Sequence, residues 1–353
     1  MTTELAPASA RTTVRTATAP DVDRHLTPAA LQAVADGIPD STRRAYLTDM
    51  TAFTAWCATV GRRPLPATPE TLTEYVAHLS LTPSARTGRP LAPSSIERAL
   101  AAIRTAHKAV ALPVPETKGA RKVLSGYRER LALTKDPAAR PRKAAPATPD
   151  ALREMLATLD RATLAGKRDA ALLLFGYACA ARVSELAALD QADIVDTEDG
   201  LLVNVYRRKL KRHDEVAVPY GSHPATCPVR AVRALLTALA AQERTAGPLF
   251  VRIDRHGRLA PPMTRHGQTI GDPDGRITPT AAAAVITRAA DAAGFEGKWT
   301  GHSLRRGFAT AARRAGHTLE RIGRHGGWAD GSRALLGYME EGDRWERNPV
   351  AGL

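Results

Sequence analysis

Between residues 39 and 133, apolar side chains recur every three or four positions in four separate runs. These runs cover residues 46–57, 72–79, 96–107 and 120–131. The spacing is typical of amphipathic helices that turn one face towards a shared core. Thr68 before Pro69 predicts the start of the second helix, and Ser94 with Glu97 predicts a capping box at the start of the third. The segment is therefore predicted to form a compact unit of four helices.

The segments on either side of this helical unit differ from it in composition. Residues 1–38 are rich in Ala, Thr and Pro, and we expect a disordered tail because such a stretch buries little apolar surface. Residues 134–147 hold three prolines and four basic residues without apolar periodicity, which indicates a semi-rigid basic linker. The predicted domains are thus a tail (1–38), a helical domain (39–133), a linker (134–147) and a second domain with its C-terminal tail (148–353).

The second domain combines helical periodicity with a short stretch of alternation. Residues 169–179 are apolar nearly all round, so they should form a buried central helix. Residues 201–205 and 216–218 alternate between apolar and polar, which predicts a small antiparallel sheet. Further helices are predicted at 152–159, 227–241 and 280–293, a short strand at 249–251, and an exposed basic loop at 255–276. The fold class that follows is mainly helical with one small sheet.

The charge balance indicates which partners the chain suits. Fifty Lys and Arg residues against 36 Asp and Glu residues give a formal net charge of +14, which favours a polyanionic partner. The three cysteines lie far apart without a CxxC pair, so neither a zinc site nor a disulfide framework is expected. The chain has no P-loop or GxGxxG motif, and no cofactor is expected. Without a signal-peptide pattern or a run of about 18 apolar residues, the protein is expected to be soluble and cytoplasmic.

The densest group of functional side chains lies between residues 300 and 338. His302 and Arg305 are three residues apart at the start of an amphipathic run, so a helix would place them on one face near its N-terminus. A guanidinium and an imidazole in that position suit a phosphate group. Trp328 and Tyr338 follow, the latter on a second short apolar run. Each residue alone is more often a surface pair or a core side chain, so the ordered set carries the interpretation.

Two further features lie upstream of this group. Arg182 follows the predicted central helix, and Glu185 comes three residues later. That pair alone indicates no more than a capped helix. The predicted hairpin tip at 207–214 concentrates positive charge.

In this order, Arg182-x-x-Glu185, His302-x-x-Arg305, Trp328 and Tyr338 resemble the signature of the tyrosine site-specific recombinases, or phage integrases. The resemblance covers roughly residues 39–345. It implies a helical core-binding domain followed by a mixed α/β catalytic domain. The implied catalytic set is Arg182, Lys211, His302, Arg305, Trp328 and Tyr338, with Glu185 orienting the first arginine.

The position of the lysine in this set depends on the length of the hairpin tip, which varies. The family commonly places it eight residues before the proline that ends the next strand. Counting back from Pro219 gives Lys211, and Lys209 is the alternative. Both lie on the predicted hairpin tip.

The resemblance also implies a reaction and a mode of assembly. Tyr338 would attack a phosphodiester of double-stranded DNA to form a 3′-phosphotyrosyl bond, without metal or ATP. The protein would act as a homotetramer on DNA, as the integrase of a phage or mobile element or as a chromosome-dimer resolving relative. We hypothesise that residues 340–353 dock on an adjacent subunit, and the alternative is that they fold back onto their own domain. Tyr338 lies ten residues after Trp328, where nine are expected. A type IB topoisomerase with the same residue set and a non-catalytic DNA-binding regulator remain as alternatives.

Overall fold

The computed structural model describes residues 27–140, 143–343 and residue 350. It divides into two compact units, Met1–Pro141 and Arg142–Leu353, with the division inside the segment predicted to be a linker. The predicted docking tail lies largely outside the described residues, since only its first four positions and residue 350 are included. No helix among the described residues is long and apolar enough to cross a membrane.

The first unit is helical throughout. Its helices are α1 (Pro28–Asp36), α2 (Asp40–Thr59), α3 (Pro69–Leu81), α4 (Pro93–Ala109) and α5 (Lys118–Leu133), followed by a 3-10 turn at Pro137–Ala139. The four predicted helices correspond to α2–α5. Helix α1 is a correction, because it lies within the stretch expected to be a disordered tail. Its sequence, PAALQAVAD, has good helix formers after an initial proline. Residues 1–26 lie outside the described residues.

The starts of α3 and α4 differ in a way that the sequence pattern does not distinguish. At α3 the Thr68 hydroxyl accepts a hydrogen bond from the Thr71 backbone N–H at 3.2 Å, as predicted. At α4 the predicted capping box is wrong. The helix begins at Pro93, two residues before the start that a Ser94 cap implies, so Ser94 lies inside the helix and the actual N-cap residue, Ala92, makes no side-chain cap. The Glu97 carboxylate instead pairs with Arg128 on α5 at 2.7 Å.

The core of the first unit is built from the predicted apolar faces. Phe53, Leu72, Ile96 and Ile103 are completely buried there. The buried His107 closes the core on one side, since its Nε2 accepts from the Ala67 N–H at 2.9 Å. Each of these positions follows from the helical periodicity.

The second unit contains eight helices and five strands among its described residues. They are α6 (Pro149–Ala157), α7 (Leu164–Ala178), α8 (Val183–Leu186), β1 (Ile194–Asp196), β2 (Gly200–Arg207), β3 (Arg212–Pro219), α9 (Pro228–Ala240), β4 (Met263–Arg265), β5 (Gln268–Ile270), α10 (Pro279–Ala292), α11 (Ser303–Arg314), α12 (Leu319–Gly326) and α13 (Arg333–Asp343). The predicted fold class, mainly helical with a small antiparallel sheet, is confirmed.

Two details of the second unit differ from the sequence prediction. Residues 249–251 form no strand, since only Val251 makes an isolated bridge, to Arg276. The basic stretch expected to be a loop contains the exposed hairpin β4–β5. Its three-residue strands are too short for alternation to reveal them.

Helix α7 lies at the centre of the second unit, as its nearly continuous apolar sequence predicts. It packs against α9 and α11. The strands β1, β2 and β3 form an antiparallel sheet in that order, with Leu201 opposite Val218 and Arg207 opposite Arg212. A separate apolar cluster joins α11, α12 and α13 around Ile322, Trp328 and Leu335. This cluster brings the C-terminal helices to the end of α7.

Candidate active site

The C-terminal end of α7 organises the candidate site. The last carbonyl groups of a helix have no partner within the helix, and this end carries partial negative charge. Here the carbonyls of residues 178, 179 and 180 accept hydrogen bonds from His325 (Nε2, 2.6 Å), Arg207 (Nη2, 3.3 Å) and Arg305 (Nη1), respectively. Side chains from a strand and two distant helices therefore meet where one buried helix ends.

Arg182 lies two residues beyond these carbonyls, at the N-cap of α8. Its guanidinium contacts the Glu185 carboxylate at 2.5 Å, and its backbone N–H donates to the other carboxylate oxygen at 3.0 Å. Glu185 is 1% exposed, whereas the Arg182 side chain keeps 22% of its surface open. The predicted cap is thus present, and the same contacts hold the Arg182 guanidinium at the surface of the site.

Arg305 lies on α11 and is only 2% exposed. It donates to the carbonyl oxygens of residues 180, 326 and 327, and its guanidinium carbon lies 3.5 Å from the centre of the Trp328 ring. Burial, followed by repulsion from Arg182, lowers the pKa of Arg305 to about 9, so the guanidinium stays protonated at neutral pH. Stacking on an indole stabilises such a cation by about 0.5–2 kcal/mol. Trp328 therefore supports the guanidinium directly.

His302 precedes α11 as its N-cap residue, and part of its surface is open to solvent. Partial burial, followed by the positive charges of Arg182 and Arg305, lowers the pKa of His302 below its ordinary value of 6.5. The imidazole is therefore neutral at pH 7. In that state one ring nitrogen can accept a proton.

Tyr338 lies on α13 beside this group. Its ring meets Trp328 edge-on at a centroid distance of 6.3 Å, and the guanidinium of Arg306 lies 5.9 Å from its centre. The turn between Trp328 and α13 contains Gly331, which has a φ of +67°, a conformation that glycine adopts without strain. That turn accommodates the ten-residue spacing and still brings the two rings together.

The two candidate lysines lie in the four-residue turn between β2 and β3. Both side chains are exposed. Lys211 has a φ of +52°, and its backbone N–H donates to the Arg207 carbonyl at 2.8 Å. No side-chain contact of Lys209 or Lys211 orders either ammonium group in the described part of the chain. The geometry leaves the choice between them open.

The sequence pattern did not identify Arg207 as a residue of the candidate site. This residue is completely buried, and its guanidinium contacts Glu185 at 3.1 Å, Asp214 at 3.4 Å and the His325 carbonyl at 2.9 Å. It therefore connects the strand that leads to the lysine turn with the carboxylate that holds Arg182. The alternation along β2 could have found it, since residues 201, 203 and 205 face inwards and 207 continues that phase.

Gly327 is required beside this buried arginine. It ends α12 in the left-handed conformation, with a φ of +61°. A Cβ atom at this position would lie 2.6 Å from Nε of Arg207. The residue before Trp328 must therefore be glycine for both its backbone and its contact.

We expect Arg207→Met to lower the free energy of unfolding of the second unit by about 3–5 kcal/mol. The substitution removes the completely buried cation that contacts both the buried Glu185 and the partly buried Asp214. Glu185 keeps its contact with Arg182 and Asp214 keeps its contact with Arg212, but breaking a buried ion pair on one side costs about this much. Arg233→Met is the matched control, because it removes an exposed pair with Asp196, and solvent-exposed ion pairs contribute little to stability. Urea unfolding of both variants measures the difference. Similar losses in the two variants would contradict the network described.

No group of three or more His, Cys, Asp or Glu side chains suited to holding a metal ion occurs among the described residues. The three cysteines, expected to be unpaired, are free and buried. The charged groups described at this site are the guanidiniums, the Glu185 carboxylate and the lysines of the hairpin, and the His302 imidazole beside them is neutral.

Comparison with known proteins gives the class to which this fold and site belong. Residues 147–342 match the model of the phage integrase family. The chain is 29% identical over 324 residues to an integrase/recombinase xerD homolog of Selenomonas ruminantium, covering 88% of this chain and 84% of that protein. It is 26% identical over 285 residues to recombinase cre of Escherichia phage P1, covering 79% and 78% of the two chains.

A solved structure shares the fold. A lambda integrase fragment (75–356), as a dimer bound to a COC′ core site, has a TM-score of 0.54 at 15% identity and covers 90% of this chain and 93% of its own. The family match spans more than half of the chain, including every candidate residue of the second unit. The chain belongs to the phage integrase family of tyrosine recombinases, which are enzymes that cleave and rejoin DNA.

Proposed function

We propose that the chain is a site-specific DNA recombinase that works through a 3′-phosphotyrosyl intermediate, as the integrase of a phage or other mobile element. The observation that carries the proposal is the meeting of Arg182, Arg305 and His302 at the end of α7, beside the phenol of Tyr338. Two cations, a neutral base and a nucleophile are the groups that phosphoryl transfer to a tyrosine needs.

The proposed cleavage step forms one bond to phosphorus, breaks another and moves two protons. The Tyr338 oxygen forms a bond to phosphorus and passes its proton to His302. The bond from phosphorus to the 5′-oxygen breaks, and Lys211 gives that oxygen a proton. Arg182 and Arg305 neutralise the non-bridging oxygens as charge develops. Rejoining is the reverse reaction with a different 5′-hydroxyl, so the energy of the bond is conserved without ATP or a metal.

The pKa of His302 gives this step a testable pH dependence. We expect the cleavage rate to fall only below pH 6.5, because the lowered pKa keeps the imidazole neutral and able to accept a proton down to that range. Single-turnover adduct formation between about pH 5 and pH 8 measures the profile. Replacement of the exposed His317 with glutamine should leave the profile unchanged, whereas His302→Gln should remove its acid limb. A cleavage rate that has already fallen to half of its maximum above pH 6.5 would contradict the assignment of His302 as the proton acceptor.

The choice between the two hairpin lysines is tested with a substrate that needs no general acid. Lys211→Ala should slow cleavage of ordinary DNA far more than Lys209→Ala does. A 5′-bridging phosphorothiolate should restore the rate of the Lys211 variant, because its sulfur leaves without a proton. Equal defects in both variants, or rescue of Lys209→Ala alone, would move the role to Lys209.

The proposed architecture assigns residues 39–133 to core binding, 134–147 to a linker and 148–353 to catalysis. The lambda integrase structures that share the fold are a dimer bound to a COC′ core site and a tetramer bound to a Holliday junction. They support the proposal of double-stranded DNA and a homotetramer as partners, with the protein acting at the nucleoid. The net charge of +14 supports the same polyanionic partner.

A type IB topoisomerase uses the same chemistry without a second site. Two assays on one preparation separate the functions: relaxation of a supercoiled plasmid, and exchange between two copies of a site selected from a random-sequence pool. Exchange between sites supports the recombinase. Relaxation alone indicates the topoisomerase, and DNA binding with neither reaction indicates a regulator.

A further inference from the structure

A cavity of about 510 Å³ opens beside Tyr338, on the part of the second unit that holds His302. Its charged and titratable lining residues are Lys143, Lys298, His302, Arg306, Arg333 and Tyr338. No carboxylate contributes to the lining among the described residues. Four cations around one cavity repel each other at close range, and an anion in the cavity relieves this repulsion.

The backbone holds two of these lysines next to each other. The Ala145 N–H donates to the Lys298 carbonyl at 2.7 Å, and the Ala147 N–H donates to the Ser303 carbonyl at 2.9 Å. The segment after Lys143 therefore lies against the segment from Lys298 to the start of α11. Both lysines thus reach the same cavity from paired stretches of chain.

Close packing fixes this pairing. A Cβ atom at Gly307 on α11 would lie 1.9 Å from the Ala147 carbonyl oxygen, so only glycine permits the approach. Arg306, the preceding residue, donates to the Ala144 carbonyl from the cavity wall. Arg306 is 6% exposed, so its guanidinium is held in place rather than extended into solvent. The close packing of α11 against the segment beside it therefore forms this part of the cavity wall.

The two guanidiniums assigned to the reacting phosphate do not line this cavity. Arg305 is engaged by the carbonyls at the end of α7 and stacks on Trp328, and Arg182 is held by Glu185. One phosphodiester carries a single negative charge, which is smaller than the combined positive charge of Arg182 and Arg305. The cations of the cavity therefore suit a second anionic group beside His302 and Tyr338, which line the same cavity.

We propose that Lys143, Lys298 and Arg306 form a second phosphate subsite, which binds a backbone phosphodiester next to the one that Tyr338 attacks. The inference rests on the proposed function, because it takes DNA as the substrate. Arg306 lies against the ring of Tyr338, so a phosphate held there also fixes the approach of α13. The subsite thereby couples correct placement of the DNA to placement of the nucleophile.

The test combines a protein change with a single neutral phosphate in the DNA. A half-site duplex, selected from a random-sequence pool, carries a methylphosphonate at one position at a time on either side of the cleavage point. The wild-type protein should lose roughly tenfold to a hundredfold in affinity at one neighbouring position, as expected for a lost charge-assisted hydrogen bond. Lys298→Gln and Lys143→Gln should each weaken binding to unmodified DNA. In these variants, a methylphosphonate at that neighbouring position should cause little further loss of affinity, because the contact is already lost.

Lys167→Gln is the matched control, since Lys167 lies in the first turn of α7, at the opposite end of that helix from the site. It should retain the full wild-type loss at the same position. The salt dependence provides a second readout: the slope of log K against log salt should decrease by about 0.9 in Lys298→Gln.

If the lysine substitution and the methylphosphonate reduced affinity additively at every neighbouring position, in both lysine variants, the subsite would be overturned. Coupling only at the cleaved phosphate would also overturn it, because these lysines would then belong to the reacting centre. Failure of the proposed function is a separate result, in which the wild-type protein forms no covalent adduct with the unmodified duplex.

Discussion

Tyr338→Phe is expected to abolish the covalent protein–DNA adduct while changing DNA affinity by less than about twofold. The substitution removes one oxygen atom, and α13 carries no other hydroxyl group that could replace it. The ring itself is kept, so its contacts with Trp328 and Arg306 should persist. A nicked suicide substrate, which traps the intermediate because the leaving strand is lost, measures adduct formation on a denaturing gel.

Tyr220→Phe is the matched control for this prediction. Tyr220 is an exposed tyrosine with two guanidiniums beside its ring, those of Arg230 and Arg233, at 5.6 and 5.2 Å. It lies outside the site at the end of α7, so its removal should leave adduct formation unchanged. An adduct that survives in Tyr338→Phe would show that the nucleophile is another residue.

Arg305→Gln is expected to reduce the cleavage rate by about 10²–10³-fold, which is typical for loss of one preorganised donor to a developing negative charge. Arg305→Lys should recover only part of this loss. A lysine keeps the charge, but it lacks the planar fork that stacks on Trp328 and reaches several carbonyls at once. Single-turnover cleavage with saturating DNA measures both variants.

The two arginine variants also require a check on folding, because the glutamine leaves buried carbonyl groups without their donor. DNA affinity and the urea unfolding midpoint provide this check. A variant that folds and binds normally but cleaves at the wild-type rate would remove Arg305 from the proposed mechanism.

The helices of both units could largely be predicted from the sequence. Long periodic runs such as those of α2 and α7 signal burial on one face or on all faces, and Thr68 and Thr148 cap the helices that they precede. The fold class and the family follow from these patterns together with the ordered motif. The site is similar: the three-residue spacing of His302 and Arg305 predicted a shared face, and the structure places them at the start of one helix.

What the sequence did not reveal depends on long-range contacts. Arg207 was interpreted as part of an exposed basic turn, because a charged residue at the end of a strand is usually solvated. Its burial becomes understandable only when the carbonyls of α7 and the carboxylate of Glu185 are both in place around it. The position of Pro93 similarly overrode the capping box, and the short hairpin β4–β5 gave no periodic signal.

The proposed mechanism requires that Tyr338 carries the DNA through a 3′-phosphate. The most direct measurement is to trap the wild-type adduct on a suicide duplex, digest it with protease and nuclease, and identify the modified peptide by mass spectrometry. We expect a nucleotide attached to Tyr338 through its 3′-phosphate, with a free 5′-hydroxyl on the released strand. Attachment to another residue, or through a 5′-phosphate, would contradict it.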